Sequence, residues 1–185
     1  MPTDRSGRAP APTRGLLVGG VVVVAAGLAT TSWALWPRDG APVRLPTASV
    51  TAVDQSAVDP TAYAHELRSA ADDARAAQGL PRFTVADCAA PVALARATAL
   101  VGKPLVHAPL DPVRAACPSA DITAENLSRA EAAPADVVTA WMASAGHRAN
   151  LLDPTLTAMV VACTHDGTQM LCSQLFTGTS GSPTP

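Results

Sequence analysis

The chain has 185 residues, a formal net charge of −2, 15% charged residues and only 3% aromatic residues. A near-neutral balance with no basic face and few rings for stacking gives nucleic-acid binding no support. So few bulky side chains leave a small core in need of covalent staples, and four cysteines suit a domain exported to oxidising surroundings.

Residues 1–14 form a polar, proline-rich tail carrying Arg5, Arg8 and Arg14. Gly15 to Trp36 carries no charge. That run is about 22 residues, or roughly 33 Å as a helix, enough to cross a bilayer core. Trp33 and Trp36 stand at its far end, where amphipathic rings favour the interface. The arginines ahead of the run place residues 1–14 in the cytoplasm and everything after Pro37 outside. The rival reading is a cleaved signal peptide with Ser32-Trp33-Ala34 as its small-x-small site, although the apolar region is longer than such peptides use. An uncleaved single-pass anchor over 15–36 is therefore expected; both readings export the rest, the second as a secreted protein. Residues 37–58 mix Pro, Gly, Ser, Thr and isolated charges and read as a flexible linker.

The folded part is expected over residues 59–177, with 178–185 a disordered tail. Asp59 caps a first helix with Pro60 at its opening position, and Tyr63, Leu67, Ala70, Ala71 and Ala74 recur at helical spacing to Gln78. Gly79 and Pro81 end it. Thr84 is expected to cap a second helix containing Val85, Cys88, Val92, Ala95 and Leu100, with Pro91 imposing either a kink or a start near Ala89. Gly102 and Pro104 stop this helix, and Asp111-Pro112 opens a short one to Cys117. Ile122 to Ser128 has no helical period and reads as extended. Pro134 starts a helix with Val137, Val138 and Trp141 on one face, and His147 to Leu152 make one further turn closed by Asp153-Pro154. Leu156–Thr164 and Gln169–Thr177 are strands. Helices come first and strands mostly later, the order of an α+β domain.

Four cysteines allow three pairings, and sequence alone does not choose among them. Spacing suggests one. Cys163 and Cys172 flank an Asp-Gly turn and would face each other across a hairpin, which leaves Cys88 and Cys117. On the chain-entropy account the longer loop is worth roughly 3–4 kcal/mol. No Cys-x-x-Cys spacing favours a zinc cluster instead.

Chemistry is sparse: four His, three Glu and one Lys in the whole chain. Glu125 and His147 fall in one stretch: Ala124-Glu125-Asn126-Leu127, then Trp141-Met142-Ala143-Ser144-Ala145-Gly146-His147-Arg148-Ala149-Asn150-Leu151-Leu152, then Ser173-Gln174-Leu175-Phe176. These segments resemble the CAP superfamily (cysteine-rich secretory proteins, antigen 5 and plant pathogenesis-related proteins) in its short bacterial form. Asp73-Ala74-Arg75 through Gly79-Leu80-Pro81 looks like that family's first helix and turn, so the resemblance spans residues 60–177. It implies a three-layer α-β-α sandwich and a cavity of two histidines and two acids. His107, Glu125 and His147 take three of those places, and Ser144 stands where eukaryotic members have the second acid. The resemblance therefore implies a ligand-binding cavity of His107, Glu125, His147 and Ser144.

Two neutral imidazoles and a carboxylate can fill three corners of a zinc tetrahedron, so His107, His147 and Glu125 are the metal candidates, with zinc or copper preferred over calcium. Losing the second acid weakens tight metal binding. Without metal the trio would be a pH-sensitive cluster. Plainer roles exist for each: Glu125 pairing with Arg129 or Arg148, His107 as a loop residue, His147 at a helix C-terminus. Ser144 lies three positions before His147, but no third group orients that histidine as a nucleophile's base. His65 reads as surface and His165 as part of the turn. The Asn126-Leu127-Ser128 glycosylation pattern is read as accidental, with Asn126 fixing backbone beside Glu125, Trp141 packing in the core, and Arg148 and Asn150 holding the turn after His147.

Two functions follow. The favoured one is a membrane-tethered extracytoplasmic module, not an enzyme, that binds a small apolar or cell-envelope ligand or a protein partner; the resembled family is associated with lipid and sterol binding. The alternative is a metal-assisted hydrolase acting on peptide or wall material, with zinc on His107 and His147 and Glu125 as ligand or base.

Overall fold

A computed structural model describes residues 52–181. The anchor expected over 15–36, most of the linker and the extreme C-terminal residues lie outside them. Among the described residues no helix is long and apolar enough to cross a membrane.

Helix α1 (Pro60–Ala76) begins as its sequence dictates, with the Asp59 carboxylate accepting from the Ala62 N–H at 2.8 Å and Pro60 in the first turn. It buries Tyr63, Leu67 and Ala71, spaced one turn apart. The Tyr63 hydroxyl donates to the Ala132 carbonyl at 2.8 Å, and burial pushes the phenol up to about 12. Thr84 does not cap a helix. Thr84–Val85 is instead a two-residue strand, β1, and the Thr84 hydroxyl donates to the Thr157 carbonyl. After a 3-10 turn at Asp87–Ala89, α2 (Ala90–Leu100) starts with Pro91 in its first turn, where a missing N–H costs no bond. Helix α3 (Asp111–Ala116) follows, then strand β2 (Ile122–Ala130), α4 (Pro134–Ala143), α5 (Ala145–Leu152) and the hairpin β3 (Leu156–Asp166) and β4 (Gln169–Gly178). Helix α5 runs eight residues, longer than the single turn expected.

The sheet order is β1-β3-β4-β2, with β1 parallel to β3 and the other pairs antiparallel. Gly167, at φ 65°, turns the hairpin where a side chain would be strained. Alternation along β3 sends Met159 and Cys163 to a core shared with α1, α4 and α5, and Ala158, Val160 and Ala162 to a second core under α2 and α3. Helices therefore cover both faces of the sheet. Cys163 and Cys172 are register partners and are bonded; Cys88 and Cys117 are also bonded, at a separation of 29 residues. That second bridge closes a ring containing α2, the 101–110 loop and α3.

The chain enters the domain earlier than the boundary expected at 59. The Val53 N–H donates to the Glu131 carbonyl at 3.0 Å and the Gln55 N–H to the Thr168 carbonyl at 2.9 Å, and Gln55 is buried.

Candidate functional site

Strand β2 lies at one edge of the sheet, and its outward carbonyls would be unpaired without help. Side chains supply it: Trp141 Nε1 donates to the Leu127 carbonyl at 3.2 Å and Asn150 Nδ2 to the Glu125 carbonyl at 3.2 Å. Asn150 also donates to Asn126 Oδ1 at 2.9 Å, and Asn126 to Gln174 Oε1 at 3.0 Å. This chain of amides fixes the backbone on which Glu125 sits. It also leaves Asn126 fully buried, so the glycosylation pattern has no accessible acceptor.

The Glu125 side chain points to the α2 face and is nearly sealed from water. An isolated buried carboxylate is strongly disfavoured unless a cation meets it. Arg96 of α2 does so through two bonds, Nε to Oε1 at 2.9 Å and Nη2 to Oε2 at 3.0 Å. The contact raises the Arg96 pKa, so this partner is a permanent cation. The Ser173 hydroxyl donates to Oε1 at 3.3 Å, and His107 Nδ1 lies 2.9 Å from Oε2. A carboxylate only accepts, so Nδ1 carries the hydrogen in this contact. The His107 side chain is 59% exposed, so the imidazole is accessible from solvent. Arg96 Nη2 also donates to the Val106 carbonyl at 3.2 Å, bracing the loop that presents the imidazole.

His107 and Glu125 thus meet directly. His147, on α5, makes no hydrogen bond to either. Its carbonyl accepts from Asn126 Nδ2 at 3.4 Å and its ring packs 6.1 Å from that of Trp141. Burial, and secondarily the charge of His107, hold its pKa below the usual 6.5. Ser144 precedes α5 without capping it through its hydroxyl. The partners expected for Glu125 are not those found: Arg129 pairs with Asp166 at 2.8 Å, an ion pair without hydrogen-bond alignment, and Arg148 is exposed. Asn150 holds strand β2 rather than the turn after His147. His65 is exposed, and His165 lies inside strand β3, paired with Met170 one residue before the strand ends, not in the turn.

The donor set does not fit the metal considered for it. Arg96, His107 and Ser173 take up both Glu125 oxygens, and a cation entering there would meet a guanidinium. Among the described residues no group of three His, Cys, Asp or Glu side chains is arranged to hold an ion.

The depressed His147 pKa has a consequence for stability. The unfolded chain takes up this proton near 6.5, the fold only at lower pH. Stability from this group is complete above that value and is lost as pH falls towards the folded value. Denaturation midpoints taken at about pH 7.5 and about pH 5.5 should differ less in His147→Gln than in the unsubstituted chain. Equal acid losses in both would show that His147 is not the group responsible.

Helices on both faces of a mixed sheet, two disulfides and a surface imidazole held on an edge-strand glutamate define an α+β domain. The chain belongs to the cysteine-rich secretory protein family, CAP, whose model matches residues 68–176. No curated protein matches the sequence. Among solved structures, the fold is similar to an extracellular SCP-domain protein of Bacillus anthracis (18% identity, TM-score 0.55, covering 65% of this chain and 41% of that one). It is similar to a cysteine-rich secretory protein of Staphylococcus aureus (21%, 0.54, 66% and 40%) and an outer surface protein of Borrelia burgdorferi (20%, 0.57, 66% and 97%). The chain therefore spans about two-fifths of the length of the first two and nearly all of the third.

Proposed function

We propose that this is a membrane-tethered, extracytoplasmic CAP-domain protein that works as a non-enzymatic binding module, with His107 as its polar ligand contact. One observation carries the reading: a buried, charge-compensated Glu125–Arg96 pair orients an imidazole that is largely exposed to solvent. A carboxylate clamped by a guanidinium is a poor base and a poor metal ligand, whereas a fixed, exposed imidazole suits hydrogen bonding to a polar group of a ligand. The extracellular and outer-surface placement of the structural relatives agrees with export.

The test is native mass spectrometry of the purified full chain after incubation with vesicles of bacterial polar lipids. A retained small-molecule adduct is expected, weakened about tenfold in His107→Ala, the upper scale of one hydrogen bond. Absence of any adduct, together with chelator-sensitive cleavage of a peptide or wall substrate, would replace the binding reading with the hydrolase.

A further inference from the structure

The two edges of the sheet differ. On the β2 edge, Trp141 and Asn150 take up the outward carbonyls of Leu127 and Glu125. The other edge belongs to β1, but β1 reaches only Ala158 and Met159 of β3, and the chain turns away once the Ala86 N–H has bonded the Met159 carbonyl at 3.1 Å. Beyond Met159, β3 is itself the edge. Backbone direction alternates along a strand, so Val161, Cys163 and His165 turn their N–H and C=O groups outward with Met159. The Cys163–Cys172 Cα separation of 4.1 Å gives the same phase, because so close a pair exchanges no hydrogen bonds across the hairpin. Among the described residues no hydrogen bond reaches those three backbones from the open side. Strand β3 is half-buried from Val160 to Ala162 and from Thr164 to Asp166, whereas β4 is buried from Met170 onward. No proline, lysine or arginine stands between Leu156 and Asp166 to blunt this edge.

Helix α2 runs beside it. The segment entering the helix bonds Met159, and the Gly102 N–H just past its end donates to the Asp166 carboxylate at 3.1 Å, so α2 follows β3 along the whole open stretch. Ala93 packs under the sheet, and Arg96, about 60° round the helix, reaches past β4 to Glu125 on β2. Leu94 and Val101 lie about 100° and 80° round in the opposite sense, on the flank that looks past β3. They are 51% and 40% exposed. An unpaired ladder thus runs alongside an apolar helix flank, the arrangement that receives an extended chain. A second copy does not fit there. Paired strands lie about 4.8 Å apart and packed helices about 8–10 Å, and both α1 and α2 lie over β3, so like helices would collide before two such edges met. A single peptide brings no helices with it.

We propose that the open edge of β3 takes up an extended segment of another polypeptide as an added strand. It bonds the backbones of Val161, Cys163 and His165 and sets apolar side chains, at alternate positions, against Leu94 and Val101. This edge is opposite the one that carries Glu125 and His107, so the proposal stands apart from the imidazole site. The test is residue-resolved amide hydrogen exchange of the full chain in mild detergent. The probe is a blocked peptide of alternating valine and threonine with a lysine at each end, compared with the same peptide N-methylated along its length. In the chain alone, the Val161, Cys163 and His165 amides should exchange faster than those of Val160, Ala162 and Thr164, which face β4. Millimolar peptide should slow the first three at least about threefold and leave the others unchanged. The methylated peptide should have no effect, and Leu94→Lys should reduce the slowing without moving the thermal midpoint. No slowing by the parent peptide, or equal slowing by the methylated one, overturns the proposal. Slow exchange of the three amides in the chain alone overturns it too: at every concentration it marks a segment of the same chain in the slot, and only at high concentration a second copy.

Discussion

Arg96→Met is expected to destabilise the domain by about 3–5 kcal/mol at neutral pH, the cost of stranding a buried charge. The Glu125 side chain is almost wholly enclosed, and Arg96 supplies two of its hydrogen bonds and a guanidinium counter-charge that His107 and Ser173 do not replace. The sign of the pH response identifies the cause. In the variant, burial without a cation raises the folded-state pKa of Glu125 above its unfolded value. Such a group favours the fold below the unfolded pKa, and that contribution is lost as pH rises through the folded one. Urea denaturation should therefore show Arg96→Met closest to the unsubstituted chain in acid and furthest from it at neutral pH. Adding Glu125→Gln should restore most of the loss, because two mismatched neutral groups cost less than one unpaired charge. A loss that is independent of pH and unrelieved by Glu125→Gln would mean that Arg96 contributes by packing alone.

Arg75→Met is expected to cost at least about 4 kcal/mol, because several buried carbonyls lose their donor at once. Arg75 is 2% exposed and meets no carboxylate in a hydrogen bond. Its Nε donates to Pro81 at 2.7 Å, its Nη1 to Leu151 and Asp153 at 2.8 and 2.9 Å, and its Nη2 to Leu156 at 3.0 Å, all carbonyls. The guanidinium also lies 4.1 Å over the Phe83 ring. Burial lowers its pKa, while Asp153 and Asp72 act in the opposite direction. This one side chain ties α1 to the α5–β3 connection and to the segment leading into β1. Arg75→Lys should recover less than half of the loss, since an ammonium cannot reproduce a planar fork. Thermal or urea unfolding decides; a methionine variant within about 1 kcal/mol of the parent would show that water takes over those carbonyls.

Both arginines expose the limit of reading this chain as a string. Elements with a strong local signal were legible: the Asp59-Pro60 cap, the Asp-Gly hairpin with its flanking cysteines, and the Val137, Val138 and Trp141 face of α4. Thr84 misled because a threonine before an apolar run is the same local pattern whether it caps a helix or enters a short strand, and β1 is two residues long. His107 and His147 were legible only through the family resemblance, since neither has a local pattern of its own. Arg96 gave no signal at all. It sits in an alanine-rich helix, and its partner is 29 residues away, so only the packing of α2 over the sheet reveals the pair. Glu125 instead invited pairing with arginines nearer in sequence, which the fold sends to Asp166 and to the surface.

The Cys88–Cys117 bridge has a cellular implication. Arg96 and His107 both belong to the ring it closes, while Glu125 stands outside. In a reducing cytosol the arginine and the histidine would hang on an open loop, with extra chain entropy opposing their convergence on the glutamate. On the proposed extracytoplasmic reading, maturation of the imidazole site would be coupled to translocation, and protein held back before export would be the less competent form.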